Sequence, residues 1–196
     1  MLTAYIGMGA NLTGPAGPPE ATLAAAAARL GVLGRVARRS GLYLTTPVGY
    51  ADQPQFVNAV VALETDLAPL SLLEALLAIE KEFGRDRHNS FANGPRTLDL
   101  DILLMGNLVL HEAELEIPHP RLAERAFALV PLNEIARGAV DPRHNRSVAA
   151  LLDALTQQAR GDIDGVARME SEIWGAGSAG VGAHAARCSG EPDADG

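Results

Sequence analysis

The sequence predicts an α+β fold in which helices cover a mainly antiparallel sheet, and three observations support this prediction. Strand-like and helix-like segments follow one another in the order β-α-β-β-α-β. Turn residues, mainly Gly and Pro, separate these segments. A hydrophobic fraction of 47% in 196 residues is enough for the core of one domain, with or without a tail. The order is that of the ferredoxin-like split βαβ arrangement, with helices on one face of the sheet.

The first half of this core is predicted as a strand, a helix and a strand, over residues 2–8, 20–30 and 36–45. The first strand is a short apolar run, which is typical of a buried strand. A loop rich in Gly and Pro follows, and the helix begins after Pro19 and ends at Gly31. The second strand leads into a long loop of turn residues.

The second half repeats the order strand, helix and strand, over residues 56–64, 69–83 and 98–105. The helix is amphipathic and ends at Gly84. A polar loop without apolar periodicity, residues 85–94, separates it from the last strand. Gly106 and Asn107 then turn the chain toward residues 108–110.

Two further helices are predicted beyond the core, over residues 127–136 and 147–159, and they are expected to cover part of the second face of the sheet. Residues 163–174 are predicted as a terminal strand. The segment after it is rich in Gly, Ala, Ser and acidic residues, as disordered segments are. We therefore divide the chain into a main domain, 1–160, and a mostly disordered extension, 161–196.

Charge and cysteine content narrow the classes of partner and compartment. The net charge of −8 argues against a nucleic-acid or membrane-surface binder. Apolar runs of 18 residues and a secretory signal are both missing from the sequence, so we expect no membrane partner. The single cysteine, Cys188, allows no internal disulfide and fits a reducing cytoplasm, where we expect this chain.

Two carboxylates two residues apart in an apolar strand are the most informative local pattern. Asp99 and Asp101 share a face of the strand, with Cα atoms roughly 6–7 Å apart. The opposite face is predicted to carry Leu98, Leu100, Ile102 and Leu104. Like charges at this distance need a cation, either Arg96 or a hard divalent metal that keeps positions open for phosphates. The alternative is an exposed polar face with two ordinary aspartates.

Cationic side chains flank the carboxylates in sequence, at Arg85, Arg87, His88, Arg96, His119, Arg121 and Arg125. An acidic protein that gathers arginines around a carboxylate pair is suited to bind an anion through metal and guanidinium groups together. A loop carrying arginines can close over polyphosphate. Surface salt bridges are the ordinary alternative. Glu80 is either an acceptor for a ligand amine or a surface residue.

Phe56 and Asn58 share a face of the third strand. A ring beside a primary amide suits a flat heterocycle, because the ring stacks and the amide pairs with ring nitrogens. The alternative is a core Phe with an Asn bonded to a neighbouring loop, and the two interpretations have equal weight. The loop at residues 45–49 offers free backbone groups, and Phe127 is either core or a second ring.

Several common catalytic motifs are missing from the sequence. It has no P-loop, no protein-kinase signature and no nucleophile elbow, and Gly7 and Gly9 do not complete a dinucleotide-binding motif. Two carboxylates with several arginines and no nucleophile suit phosphoryl-type transfer, in which positioning and charge neutralisation do most of the catalysis.

Six segments together match the motifs of one known family, in family order over roughly residues 3–136. They are Tyr5-Ile6-Gly7-Met8-Gly9-Ala10-Asn11-Leu12, residues 45–49, Asp52-Gln53-Pro54 with Phe56-x-Asn58, Gly84-Arg85-x-Arg87, Gly94-Pro95-Arg96-Thr97-Leu98-Asp99-Leu100-Asp101, and Pro118-His119-Pro120-Arg121 with Arg125-x-Phe127. The chain resembles the 6-hydroxymethyl-7,8-dihydropterin pyrophosphokinases of folate biosynthesis.

The resemblance implies a three-layer αβα sandwich on a ferredoxin-like core, with residues 1–160 as the catalytic domain. It implies transfer of the β,γ-pyrophosphoryl group of ATP to the pterin hydroxymethyl oxygen, with release of AMP. Two Mg²⁺ ions would be bound by Asp99 and Asp101. ATP and the pterin would be the small-molecule substrates. We expect a monomer without a nucleic-acid or membrane partner.

The resemblance also assigns the remaining site residues. Pterin would contact Thr45, Thr46, Pro47, Val48, Phe56, Asn58 and Phe127. ATP would contact Glu80, Arg85, Arg87, Arg96, Ile102, His119 and Arg125. Arg85 and Arg96 would be the phosphate clamps of the transition state, acting beside the two aspartates.

Several positions depart from the family pattern. Ala92 and Asn93 replace a usual Arg-Trp pair, for which Phe91 offers a substitute ring, and Glu114 and Glu116 replace residues near ATP. These departures leave open a pterin- or nucleotide-binding relative without activity. A metal-dependent nucleotidyl transferase that uses the same carboxylate pair and releases pyrophosphate is a second alternative. A ferredoxin-like RNA-binding module fits less well, because the acidic chain has four Phe, three Tyr and one Trp.

Overall fold

The computed structural model describes residues 1–47, 49–86, 94–159 and 165–175. The core contains β1 (Leu2–Ala10), α1 (Pro19–Leu30), β2 (Arg35–Arg39), β3 (Leu42–Thr45), β4 (Phe56–Thr65), α2 (Pro69–Glu82) and β5 (Asp99–Met105). After it come β6 (Leu110–His111), β7 (Glu116–Ile117), a 3-10 turn (Leu122–Glu124), α3 (Ala126–Ala136), β8 (Val140–Asp141), β9 (Arg146–Ser147), α4 (Val148–Gln158), β10 (Val166–Met169) and α5 (Glu172–Gly175). The predicted β-α-β-β-α-β order is confirmed, with the second strand divided in two.

Six strands form one antiparallel sheet, in the order β10-β3-β4-β1-β5, with β2 also beside β4. β2 and β3 follow each other along β4, where Val36 pairs with Leu63 and Tyr43 with Asn58. The strand predicted over 36–45 is interrupted at Ser40, whose hydroxyl accepts a hydrogen bond from the Val60 N–H at 2.9 Å. A side-chain oxygen replaces a backbone carbonyl there, so the regular ladder stops.

Hydrophobic clusters on both faces of the sheet give three layers. Leu23 of α1 and Leu76 of α2 pack with Ile6 on one face. Leu132 of α3 and Leu151 of α4 pack with other sheet residues on the opposite face. The predicted αβα sandwich is therefore confirmed, and burial of these apolar side chains is the main favourable term in its stability.

Leu104 lies on a different face from the one that strand alternation predicts. Tyr5 and Ile6 of β1 pair with Leu104 and Ile102, so Leu103 is an extra residue in β5. Because of this β-bulge, Leu103 and Leu104 both pack in the cluster with α3 and α4. The prediction was wrong for Leu104, whereas Leu98, Leu100 and Ile102 share the other cluster as expected.

Local signals begin and end the helices at the predicted places. Pro19 and Pro69 are the first residues of α1 and α2, where the missing N–H has no consequence. Gly84 follows α2 with a φ of 84°, which glycine adopts readily. The hydroxyl of Ser147 caps α4 by accepting a hydrogen bond from the Ala150 N–H.

The C-terminal part of the structure packs onto the sheet. β10 pairs with β3 from Val166 and Thr45 to Met169 and Leu42, and α5 buries Trp174. The predicted terminal strand is therefore shorter than 163–174 and is followed by a helical turn. The rest of the extension lies outside the described residues, and the division after residue 160 stays a prediction.

Among the described residues, we find no helix with the length and hydrophobicity required to cross a membrane.

Candidate active site

A cavity of about 430 Å³ opens on the sheet, next to the first residues of α3. Its walls include many of the predicted site residues, namely Thr45, Thr46, Phe56, Asn58, Arg85, Arg96, Asp99, Asp101, His119, Arg125 and Phe127. These residues come from β3 and the position after it, from β4 and β5, from the segments that precede β5 and α3, and from the first turn of α3. The fold thus brings into one cavity side chains that are up to 82 positions apart in sequence, from Thr45 to Phe127.

Two glycines of β1 form the floor of the cavity. Gly9 pairs with Asn58 on one side and Asp99 on the other, and Gly7 pairs with Asp101. A Cβ atom on Gly9 would lie 2.8 Å from Oδ1 of Asn58, closer than real Cβ contacts allow. In the sequence, Gly7 and Gly9 stand out as an incomplete dinucleotide motif and as part of a segment that matches the family, but neither was predicted to shape the site. Glycines two residues apart in a strand lie on the same face of the sheet, so the sequence does indicate a patch of that face without side chains.

Each carboxylate of the pair faces cationic groups. Oδ2 of Asp99 lies 2.8 Å from Nη1 of Arg96, and Oδ1 lies 3.7 Å from Nη2 of Arg85. Oδ2 of Asp101 lies 3.4 Å from Nη1 of Arg125. Burial, together with the neighbouring Asp99 charge, raises the pKa of Asp101 to about 6. The nearby guanidinium groups therefore do not fully compensate the desolvated negative charge.

His119 is neutral at physiological pH. Burial, followed by the charges of Arg125 and Arg121, lowers its pKa to about 4. Nδ1 accepts a hydrogen bond from the Arg121 N–H at 3.1 Å, which assigns the ring proton to Nε2. Nε2 lies 3.1 Å from Nη1 of Arg125. These two nitrogens are adjacent, so one phosphate oxygen beside them could accept a hydrogen bond from each.

The carboxylate pair fits a divalent cation that also contacts phosphate. Asp99 and Asp101 lie side by side in the cavity, and in the described part of the chain no cluster of three or more His, Cys, Asp or Glu forms a complete metal cage. Mg²⁺ is commonly bound by one or two carboxylates, with water and substrate phosphates completing its shell. Burial and repulsion by Asp99 raise the pKa of Asp101, and both effects favour binding of a cation at this pair.

Aromatic and amide groups form the other half of the cavity. Nδ2 of Asn58 donates a hydrogen bond to Oγ1 of Thr45 at 2.6 Å, which fixes the orientation of the amide. The Arg96 guanidinium lies 5.4 Å from the centre of the Phe56 ring, and that of Arg125 lies 5.5 Å from the Phe127 ring. Each aromatic ring therefore lies beside an arginine that was predicted to bind phosphate.

Three predicted ligand residues have side chains outside the cavity lining. Glu80 is 1% exposed, and its Oε1 accepts a hydrogen bond from the Leu100 N–H at 2.8 Å, so it connects α2 to β5. The alternative of a surface glutamate is wrong. Ile102 packs in the core under α1 and α2, and Pro47 does not contact the cavity. Any contact of these residues with substrate stays a prediction.

Other sequence predictions fall outside the described residues. These are Val48, Arg87, His88, Phe91, Ala92 and Asn93. Glu114 and Glu116 are described, but both are exposed and do not line the cavity.

The cavity also includes residues beyond the predicted pterin and ATP contacts, of which only Arg121 belonged to the predicted cationic cluster. Arg121 and Glu124 line it and form an ion pair, with Nε of Arg121 3.4 Å from Oε2 of Glu124. Gly165 and Val166, at the start of β10, line it as well. Nothing in the local sequence of the extension indicated this contact, because it arises from pairing of β10 with β3.

Comparisons with known proteins agree with this geometry. Residues 5–137 match the family model described as 7,8-dihydro-6-hydroxymethylpterin-pyrophosphokinase. The 2-amino-4-hydroxy-6-hydroxymethyldihydropteridine pyrophosphokinase of Pseudomonas aeruginosa is 49% identical over 132 residues, 67% of this chain and 79% of that protein. The enzyme of the same name from Haemophilus influenzae is 44% identical over 142 residues, 72% of this chain and 86% of that protein.

A solved structure shares the fold. The crystal structure of Plasmodium falciparum HPPK-DHPS wild type with pteroate superposes with a TM-score of 0.63 at 16% identity. The superposition covers 85% of this chain but 47% of the Plasmodium chain, so this chain spans about half of that protein. This structural similarity shows only a common fold, whereas the family match and the identity to the bacterial enzymes establish the family. The chain belongs to the 7,8-dihydro-6-hydroxymethylpterin-pyrophosphokinase family and is an ATP-using pyrophosphokinase of folate biosynthesis.

Proposed function

We propose that this cavity binds ATP with Mg²⁺ at its cationic half and 6-hydroxymethyl-7,8-dihydropterin at its aromatic half. The β,γ-pyrophosphoryl group then moves to the hydroxymethyl oxygen of the pterin, which leaves AMP and the pterin diphosphate. The observation that carries the proposal is the position of Asp99 and Asp101 in the same cavity as four arginines, two rings and an amide. This arrangement is suited to hold a polyphosphate next to a flat heterocycle.

Asp99 and Asp101 would hold two Mg²⁺ ions. Bound Mg²⁺ neutralises the charge of the triphosphate and polarises the phosphoryl oxygens. The role of the protein is to keep two adjacent carboxylates on one strand face, and the pairing of β5 with Gly7 and Gly9 does this. The resulting repulsion favours cation binding over a metal-free site.

Arg85 and Arg96 would bind the triphosphate. Both are paired with Asp99, at 3.7 Å and 2.8 Å. A cation held by Asp99 would compensate the charge of that carboxylate, and the two guanidinium groups would then be able to bind phosphate oxygens. Their planar donors match phosphate geometry, and charge that develops on the transferred group strengthens these contacts.

His119 and Arg125 would bind the same anion from the opposite side. In the assigned tautomer Nε2–H of His119 donates to a phosphate oxygen, and Nη1 of Arg125 donates beside it. His119 needs no charge for this role, in agreement with its lowered pKa. The remaining proposed ATP contacts are Arg87, Glu80 and Ile102, and they are supported only by the resemblance to the family.

The pterin would lie between Phe56 and Phe127 and pair with Asn58. Thr45 holds the amide of Asn58, so the pterin edge meets a fixed pattern of hydrogen-bonding groups. Thr46, Pro47 and Val48 are the remaining proposed contacts. Placing the hydroxymethyl oxygen in line with the β-phosphorus converts a reaction between two molecules into one within a complex, the main catalytic advantage in phosphoryl transfer. We also propose a monomer located in the cytoplasm.

Product analysis by ³¹P NMR tests the proposal. Protein, ATP, Mg²⁺ and 6-hydroxymethyl-7,8-dihydropterin should give AMP and a pterin diphosphate, and mixtures without pterin or metal should not. Asp101→Asn should lose turnover, and Asp153→Asn, on the exposed face of α4, should retain it. Release of pyrophosphate in place of AMP would show a nucleotidyl transferase. Pterin binding without any product would show a binding relative.

A further inference from the structure

The C-terminal segment 165–175 lies beyond residues 5–137 that match the family model, yet it reaches the cavity. Gly165 and Val166 line the cavity next to Thr45 and Thr46. The contact is made through the backbone, because the Thr46 N–H donates a hydrogen bond to the Gly165 carbonyl at 2.9 Å and Val166 pairs with Thr45. The segment is thus one wall of the aromatic half of the cavity.

This wall is connected to the amide that would recognise the pterin. Thr45 accepts the hydrogen bond of Asn58 at 2.6 Å, and the position of Thr45 is set on one side by β4 and on the other by β10. Strand pairing with Val166 therefore determines where Oγ1 of Thr45 lies. A displacement of β10 would rotate the Asn58 amide away from a ligand edge.

The segment is anchored at its far end, so it can fix Thr45 and Thr46. Trp174 is 7% exposed, and its Nε1–H donates a hydrogen bond to the Ser40 carbonyl at 2.6 Å. The Arg39 guanidinium lies 4.9 Å from the centre of the Trp174 ring. Ser40 and Arg39 precede β3, so β10 and α5 hold β3 at both ends.

We propose that Gly165 and Val166 are positioning residues for the pterin, which hold Thr45 and Thr46 in place and close one side of the pterin site. The inference rests on the pterin assignment proposed above and adds the C-terminal segment to that site. A segment that serves only stability would change the melting temperature and would not change pterin affinity selectively.

Gly165→Ala tests the proposal where the C-terminal segment comes closest to Thr46. Gly165 has a φ of 80°, and a Cβ atom there would overlap Oγ1 of Thr46 and lie 2.7 Å from Cβ of Thr46. We expect the Kd and the KM of the pterin to rise by about tenfold, with the KM of ATP and kcat at saturating pterin unchanged. Gly175→Ala is the matched control, because a Cβ atom there meets nothing within 4 Å.

Val166→Ala provides a second variant without a clash. It removes cavity wall but keeps the backbone pairing, so we expect a smaller rise of pterin Kd, about threefold. Its control is Ala167→Ser, at the exposed next position of the strand. Pterin Kd is measured by fluorescence titration and folding by circular dichroism, with full-length protein throughout.

The outcomes separate this inference from the proposed function. Equal pterin affinity in wild type, Gly165→Ala and Val166→Ala would overturn the positioning role and leave the proposed function intact. An equal loss of pterin and ATP affinity in both variants would also overturn it, since only a general effect on folding would remain. A wild-type chain that binds no pterin would overturn the proposed pterin site and this inference together.

Discussion

Asn11 and Arg96 are joined by two hydrogen bonds, one from each backbone. The Arg96 N–H donates to Oδ1 of Asn11 at 2.7 Å, and the Asn11 N–H donates to the Arg96 carbonyl at 3.0 Å. The side-chain Nδ2 of Asn11 also donates hydrogen bonds to Oε1 of Gln53 and to the Pro54 carbonyl, both at 3.0 Å. The buried side chain of Asn11 therefore links the segment that carries Arg96, a proposed phosphate ligand, to the loop that precedes Phe56.

Asn11→Asp is expected to uncouple these two segments. The carboxylate has the same shape but places an acceptor opposite the acceptors of Gln53 and Pro54. Loss of buried hydrogen bonds costs about 1–3 kcal/mol, and we expect a decrease of that size in the free energy of unfolding from urea titration. The kcat/KM for both substrates should fall by roughly tenfold or more. Asn107→Asp, at an exposed turn, is the control, and equal effects of the two variants would contradict this role.

Asp101→Asn should stabilise the metal-free protein while abolishing turnover. The pKa of Asp101 is higher in the folded chain, about 6, than in the unfolded chain. The stability that its protonated form contributes is therefore present below about pH 4 and is lost as pH rises through about 6. The side chain is 40% exposed, which reduces the effect.

Differential scanning calorimetry with a chelator checks this prediction. We expect the melting temperature of Asp101→Asn to exceed that of wild type by about 2–4 °C above about pH 7, and to equal it near pH 4. Added Mg²⁺ should raise the melting temperature of wild type but not that of the variant. If the variant is less stable than wild type at neutral pH, the negative charge of Asp101 is already compensated by Arg125, which contradicts this prediction.

His119 should make the folded protein sensitive to mild acid. Its pKa is about 4 in the folded chain and near the ordinary value of about 6.5 in the unfolded chain, so the unfolded chain binds the extra proton. Stability is therefore expected to fall as pH decreases from about 6.5 toward about 4, by at most about 3 kcal/mol.

Urea denaturation at several pH values measures the effect. His119→Gln should show a smaller loss of stability between neutral pH and about pH 5 than wild type does. His111→Gln is the control, because His111 is exposed and outside the cavity. Bound ATP should raise the pKa of His119 in an NMR titration, and a pKa that ATP leaves unchanged would argue against a phosphate contact.

The carboxylate pair and its arginines could be predicted because strand alternation and charge clustering are local in sequence. The face of Leu104 could not, because a β-bulge depends on which residue of β1 pairs with which residue of β5. The burial of Glu80 has a similar cause, since its partner is a backbone N–H twenty positions away. Val166 lines the cavity only through strand pairing across more than a hundred residues, which no local pattern specifies.

Gly9→Ala is expected to weaken pterin binding through Asn58. The added Cβ atom would lie 2.8 Å from Oδ1 of Asn58, so the amide must turn away from its present orientation. We expect pterin Kd to rise by roughly tenfold in fluorescence titrations, with a smaller change in ATP affinity.

Gly138→Ala is the matched control, since a Cβ atom there meets nothing within 4 Å. A double-mutant cycle with Asn58→Ala sharpens the test, because removal of the amide also removes the clash. If Gly9 acts through Asn58, Gly9→Ala should add little to the loss caused by Asn58→Ala. Additive losses would instead mean that Gly9 is needed for the approach of the ligand itself to the floor of the cavity.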